Sequence, residues 1–411
     1  MGRKKLNNVE TSTAEAAQVN TDEAVDTEEK SESEACKEQI RVIISNIYDL
    51  QKLRIGIGNR LVQSFYIQQG VKPSTSPDDA SEENLKTIEK IRKEYKRITD
   101  GIIDSKTQKE RTVKSVIKEY SEKRGDEEAL EYIRSDNDYR LVNSYMHMLD
   151  AEEESIAALD KYVKRHPMWD AFFKDVKGCG TLMSAVCIAY LDPYKARHVS
   201  CFFKYCGLDL VQDMDKEGNM VFQAVENGYR KVAQVFTEGD ETGAYVYKDL
   251  ETGEIYDGEV VPSFHGRRKG DTEMQTYYTY ENGEKVLAVD ENGEPLLKRG
   301  ITYNPKLKTK LMGVLPGCLL KAKDPVYSAI YYDQRNRYAS GDFYKGRSDK
   351  QKHMMAQRYM IKEFVRAMWI AWRKLEGLEV DEPYEVAKLG NKPHKYNEYQ
   401  CKVADFVEKK A

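Results

Sequence analysis

The stretch Phe172–Asp209, FFKDVKGCGTLMSAVCIAYLDPYKARHVSCFFKYCGLD, constrains the fold more than any other part of this chain. Two apolar runs flank Gly178-Cys179-Gly180. The spacing predicts a helix, a tight glycine turn and a second helix opening at Thr181. That second helix is apolar along Leu182, Val186, Ala189 and Tyr190, and Asp192-Pro193 stops it. Glycine adopts positive φ and lets another backbone come close. A helix that opens directly after such a turn presents unpaired amides and its positive dipole end to an anion. The stretch reads either as a helix-hairpin-helix that grips nucleic-acid backbone through Gly178, Gly180 and Thr181, or as a buried helical hairpin with a glycine turn.

Upstream, residues 38 to 165 are helical in pattern. Ile40, Ile43, Ile47, Leu50, Ile57 and Leu61 fall on a heptad-like stripe, with Arg54 where an apolar side chain is expected. Pro73–Asp79 breaks the pattern. A second helix is predicted from about Glu82 through Ile88, Ile91, Tyr95, Ile98 and Ile102, continuing to Val113, Val116, Ile117 and Tyr120. A third runs from about Asn137 and closes before His166-Pro167. Residues 37–165 are therefore expected to form a long helical bundle or coiled coil. Residues 1–36 are rich in Glu, Asp, Ser, Thr and Ala with few large apolar side chains, and are expected to be a disordered acidic tail.

Downstream the texture changes. Asp215–Asn219, Glu251–Glu254, Glu281–Glu284 and Glu291–Glu294 are turn signals between β-prone runs such as Ala244–Tyr247 and Gln275–Tyr280, so residues 212–297 predict an inserted set of β-hairpins. Within it, Ser263 stands beside Arg267, Arg268 and Lys269 in a glycine-flanked loop. A serine hydroxyl needs a base or nearby positive charge to become a nucleophile, and these cations would also neutralise charge on a phosphate. An exposed basic loop that only touches phosphates is the plainer alternative.

Between Lys298 and Lys374 there are eighteen Lys or Arg against five acids. The cations, among them Lys306, Lys308, Lys310, Arg335, Arg337, Lys345 and Arg347, are interleaved with tyrosines and phenylalanines. Basic surface of this density gives sequence-independent, salt-sensitive nucleic-acid binding. A last helix from about Lys350 packs Ile361, Phe364, Val365, Met368, Trp372 and Leu375 and is expected to expose Lys362, Arg366 and Arg373, with Gly377 as its stop. Residues 379–411 are left as a C-terminal tail.

Composition narrows the class. One third of the 411 residues is charged, and no apolar run approaches the roughly 20 residues of a membrane span. The start Met1-Gly2-Arg3-Lys4-Lys5 has no signal-peptide core. A cytoplasmic, nucleoid-associated protein without a membrane partner is expected. Seven scattered cysteines without a CxxC pair argue for reduced thiols and against a zinc site.

Taken in order, Val176–Gly180 and its following helix, Phe202–Leu208, Asn304–Lys308 and Tyr331–Tyr338 resemble the C-terminal transposase domain of the insertion-sequence 110 family over roughly Phe172–Gly377. The resemblance implies DNA recombination in which a serine of this domain attacks the DNA backbone. An acidic metal-binding domain assists and, in characterised members, so does a structured guide RNA. Ser263, the one serine between Cys201 and Tyr327, would be that nucleophile. The family's N-terminal ribonuclease-H-like domain has no counterpart, because residues 38–165 read as helical throughout. No metal ligand or cofactor is assigned, and a divalent metal such as Mg is implied only if another chain supplies the acids. The expected fold is mainly α, with a helical bundle (37–165), a helix-hairpin-helix region (166–211), the β insertion (212–297) and basic C-terminal helices (298–378). Two functions stand: a transposase or recombinase using Ser263, or a non-catalytic nucleic-acid-binding protein that self-associates through its helical half. A purely structural coiled-coil protein would leave the basic region unexplained.

Overall fold

A computed structural model describes residues 10–70, 82–104, 108–122, 129–226, 228, 230–237, 244–281 and 284–380, the side chains of 10–36 and 280–285 excepted. The chain is mainly α with small antiparallel sheets, and it divides into two units at Tyr162/Val163. The expectation of a disordered acidic tail (1–36) is corrected for 10–36, whose backbone continues α1 as helix, while residues 1–9, the Pro73–Asp79 break and most of the tail 379–411 lie outside the described residues.

The first unit is built from α1 (Glu10–Gln68), α2 (Glu82–Ile102), α3 (Val113–Glu122) and most of α4 (Asp136–Arg165). Leu61, Val62 and Phe65 of α1 share a core with Ile91 and Ile98 of α2, Val116 and Ile117 of α3, and Val142 and Tyr145 of α4. These are the stripes that the 3.6-residue period picks out. Arg54, the exception in the first stripe, forms an ion pair with Glu152, whose carboxylate is nearly buried. A buried charge is tolerated when it is paired. Glu94 is also buried. Its carboxylate accepts the amides of Glu131, Tyr132 and Ile133 at 2.7, 3.0 and 3.0 Å, which fixes the chain entering α4.

One predicted boundary is corrected. The second helix does not continue to Tyr120; it stops at Ile102 and the chain reverses before α3, with Arg111 N–H donating back to Ile102 O. Gly101 permits the return, since a Cβ there would lie 2.8 Å from Val116 Cγ1. The apolar period survives the reversal because both helices face the same core.

The second unit is organised by α11 (Asp349–Leu375), whose Phe364, Val365, Met368, Trp369 and Trp372 are buried. Around it lie α5 (Pro167–Ala171), α6 (Thr181–Tyr190), α7 (Val199–Tyr205), α8 (Pro305–Thr309), α9 (Leu315–Lys321) and α10 (Pro325–Ser340). The Phe364 ring meets Phe172 and Tyr327, with centroids 5.6 and 5.5 Å apart. The prediction that Arg366 and Arg373 are exposed is corrected: both are buried. Arg366 pairs with Glu363 at 3.2 Å, and Arg373 donates to Pro193 O at 2.7 Å. Helix α11 is covered on more sides than a two-faced surface helix, so its arginines are held by carboxylate and carbonyl partners.

Gly178 and Gly180 form the expected turn before α6. Gly178 has φ +94°, and a Cβ on it would lie 2.5 Å from Cys318 O. The buried Asp324 carboxylate caps α10 through Val326 and Tyr327 amides and also accepts Lys177 N–H at 3.0 Å. The glycine turn is thereby pressed against α9 and the start of α10.

The strands span Leu210 to Ile301, slightly beyond the expected insertion. They are β1 (Leu210–Gln212), β2 (Val221–Ala224), β3 (Lys231–Thr237), β4 (Ala244–Asp249), β5 (Val260–Pro262), β6 (Phe264–Gly266), β7 (Thr272–Thr276), β8 (Tyr278–Glu281), β9 (Glu284–Leu287) and β10 (Leu297–Ile301). They are not a string of independent hairpins. β4-β3-β2-β5 form one sheet, while β1 pairs with β6, β7 with β10 and β8 with β9, all antiparallel. Three turns share one device: Asp215, Asp249 and Asp290 accept amides two to four residues on, with Gly218, Gly253 and Gly293 at positive φ.

Candidate nucleic-acid interface

Ser263 sits between β5 and β6 with its backbone fully engaged: its N–H donates to Val221 O at 3.0 Å and its carbonyl accepts Asp213 N–H at 2.9 Å. The side chain is buried, and its hydroxyl donates to Asp213 Oδ2 at 2.6 Å. The same carboxylate accepts from Lys231 Nζ at 2.7 Å and meets His265 Nδ1 at 2.6 Å, while His265 Nε2 lies 3.0 Å from Asp271. Burial alone would raise the Asp213 carboxyl. The hydrogen bonds from Lys231, Ser263 and His265 outweigh it and hold the group at about 2. A carboxylate this acidic is a weak base. It orients the Ser263 hydroxyl, and the imidazole bonds the carboxylate rather than the serine.

The cations of this loop diverge. Arg267 is buried beneath it, paired with Asp209 and Glu273 at 2.8 Å each. Arg268, Lys269 and Gly270 are exposed. Lys308 is tucked under the loop, donating to Arg267 O; burial and the nearby Arg358 guanidinium lower its pKa. Burial likewise lowers Lys310. Lys306 and Arg337 are exposed, Arg335 donates to Asp349 O at 3.1 Å, and Lys345 pairs with Asp342 at 2.6 Å.

Between the β insertion and the start of α11 lies a cleft of about 1030 Å³. Arg268 enters it from the serine loop, Arg347 from the turn before α11, and Lys350 and Arg358 from α11 itself. Lys231 and His265 also line it, and Asp213 and Glu251 are its acids. Lys231 is already paired with Asp213, so the remaining cations face the cleft in excess. Arg347 donates to Gln223 Oε1 at 3.3 Å, and Arg358 donates to Gly207 O at 3.3 Å. Burial lowers the Arg358 pKa. Gly266 makes room for it, since a Cβ there would lie 2.3 Å from Arg358 Nη2.

Of the residues singled out from sequence, the cleft gathers Arg268 and Arg347. Gly178, Gly180, Thr181, Ser263, Arg267, Lys269, Lys306, Lys308, Lys310, Arg335, Arg337 and Lys345 do not line it. Lys350 and Arg358 were missed. They stand with Met354 at i, i+4 and i+8 on α11, a spacing that places them on one helical face. Among the described residues no group of three or more His, Cys, Asp or Glu is arranged to hold a metal ion, and no helix is long and apolar enough to cross a membrane. Comparison with protein-family models, with curated proteins and with solved structures finds no match to this chain.

Proposed function

We propose that this chain binds nucleic acid through the cationic cleft, contacting phosphates with Arg268, Arg347, Lys350 and Arg358. The observation that carries the reading is the convergence of these four side chains from three separate segments on one cleft whose two acids include one already neutralised by Lys231. Cations held together against burial and mutual repulsion gain most from a polyanion, and release of its counterions drives binding. The turn at exposed Gly180 and half-buried Thr181 is a second backbone contact if it acts as a helix-hairpin-helix, and self-association belongs to the helical unit. DNA, or DNA with a guide RNA, is the partner this reading names. The test is fluorescence anisotropy with labelled DNA and RNA. Arg268→Ala with Lys350→Ala should weaken binding at least tenfold, about 1.4 kcal/mol, and unchanged affinity overturns the reading.

A transposase or recombinase activity of the insertion-sequence 110 type is the second reading. It is favoured by Ser263 lying between two cleft-lining residues, Pro262 and Phe264, with its hydroxyl on a carboxylate. It requires the loop to expose that hydroxyl on binding. Incubation with labelled DNA followed by a denaturing gel tests it: an adduct absent from Ser263→Ala supports attack, and no adduct from either protein removes it.

A further inference from the structure

The cleft is not only cationic. Phe264 of β6 lines it with 47 % of its surface exposed, and Leu210, Leu250 and Met354 line it at 45 to 49 %. Phe264 pairs across the ladder with Gln212 and does not belong to the insertion's small core around Val232. Phosphates of a duplex need none of this apolar surface. Its base faces are stacked on one another, and only the edges and the backbone reach a protein. An unpaired nucleotide offers both a phosphate and a free base face. Single-strand binders meet these with cations along the backbone and aromatic rings under the bases.

Resting on the binding reading above, we infer that the cleft takes a single-stranded segment of nucleic acid, with an unpaired base stacked on Phe264 and flanking phosphates on Arg268 and Lys350. A strand rather than a free nucleotide fits the distribution of charge. Arg268 and Lys350 stand on different elements at the cleft, and Lys269 continues the positive charge outward along the exposed loop. A mononucleotide offers a single phosphate to these cations, whereas a strand offers successive phosphates along its backbone. Whether the strand is DNA or RNA turns on the 2′-hydroxyl.

The full chain is titrated by anisotropy with a labelled single strand of about 12 nucleotides, as DNA and as RNA, and with a duplex of about 20 base pairs. Adenosine monophosphate serves as competitor. One of the two strands should bind at least tenfold tighter than the duplex. Phe264→Ala should lose about tenfold on that strand while leaving the salt dependence unchanged, and Phe264→Trp should restore it. Thermal unfolding of each variant reports whether the fold is kept, and the strand-to-duplex ratio of the unaltered chain decides independently of any variant. Equal or tighter duplex binding, with Phe264→Ala at full affinity, overturns the inference while leaving the cationic cleft intact. Competition by the mononucleotide as strong as by the strand also overturns it. Failure of Arg268→Ala and Lys350→Ala to weaken any complex removes the underlying reading instead.

Discussion

At Gly178 two physical demands coincide: φ is +94°, and the space a Cβ would need is taken by Cys318 O. A backbone carbonyl cannot swing aside as a lysine tip can. Gly178→Ala should therefore destabilise the fold by about 2 kcal/mol or more, read as a lowered Tm in thermal unfolding. Asp213 makes a pH prediction. Its folded pKa, about 2, lies below its ordinary value of 3.8, so the stabilisation it contributes is present above pH 4 and is lost as pH falls through 2. Asp213→Asn should lower stability by about 1–2 kcal/mol near neutrality. The Tm gap to the unaltered protein should close between pH 4 and 2, and a gap that persists at pH 2 would show that lost packing rather than charge is responsible. Ser263 was legible as a residue of interest, being the one serine between Cys201 and Tyr327 and standing four residues before the run Arg267-Arg268-Lys269. Its burial was not, because exposure depends on Val221 and Asp213, 42 and 50 positions away in sequence.

Among the elements, α1 and α4 test how a charge is carried inside a helical unit. Arg54→Ala would leave the Glu152 carboxylate nearly buried without its partner, which costs on the order of 3 kcal/mol. The double variant Arg54→Ala with Glu152→Ala should recover part of that loss in urea unfolding. Helix α11 shows the opposite use of cations. Lys350 and Arg358 serve the cleft at its start, while Arg366 and Arg373 further along serve its packing. Arg373→Ala should then lower Tm without changing nucleic-acid affinity, and Lys350→Ala should do the reverse. The period of apolar residues marked α11 as a helix correctly, but one helix period cannot say how many neighbours surround it.

For the whole molecule, net charge is a poor guide, because the formal −4 conceals the basic region between Lys298 and Lys374. If about four phosphates are neutralised in the cleft, log affinity should fall with log salt at a slope near −3 to −4. Removing Arg268 and Lys350 should flatten that slope by about 2. A slope near zero in the unaltered protein would rule out phosphate binding as the source of affinity.

The sequence alone determined the elements whose signals are local. Apolar period marked the core-facing stripes of the first unit but not the break between α2 and α3. Asn-Gly and acidic-Gly signals located the turns at Gly218, Gly253 and Gly293 but not the Asp249 and Asp290 carboxylates that hold two of them, and paired glycines gave the bend before α6. Only the tertiary structure decided which cations remain available. Arg267, Arg268 and Arg347 are equally basic in sequence, yet Asp209 and Glu273 neutralise the first, while Arg268 and Arg347 reach the cleft. A charge is spent or left available by its partners in space, and those partners come together only when strands and helices distant in the chain have packed.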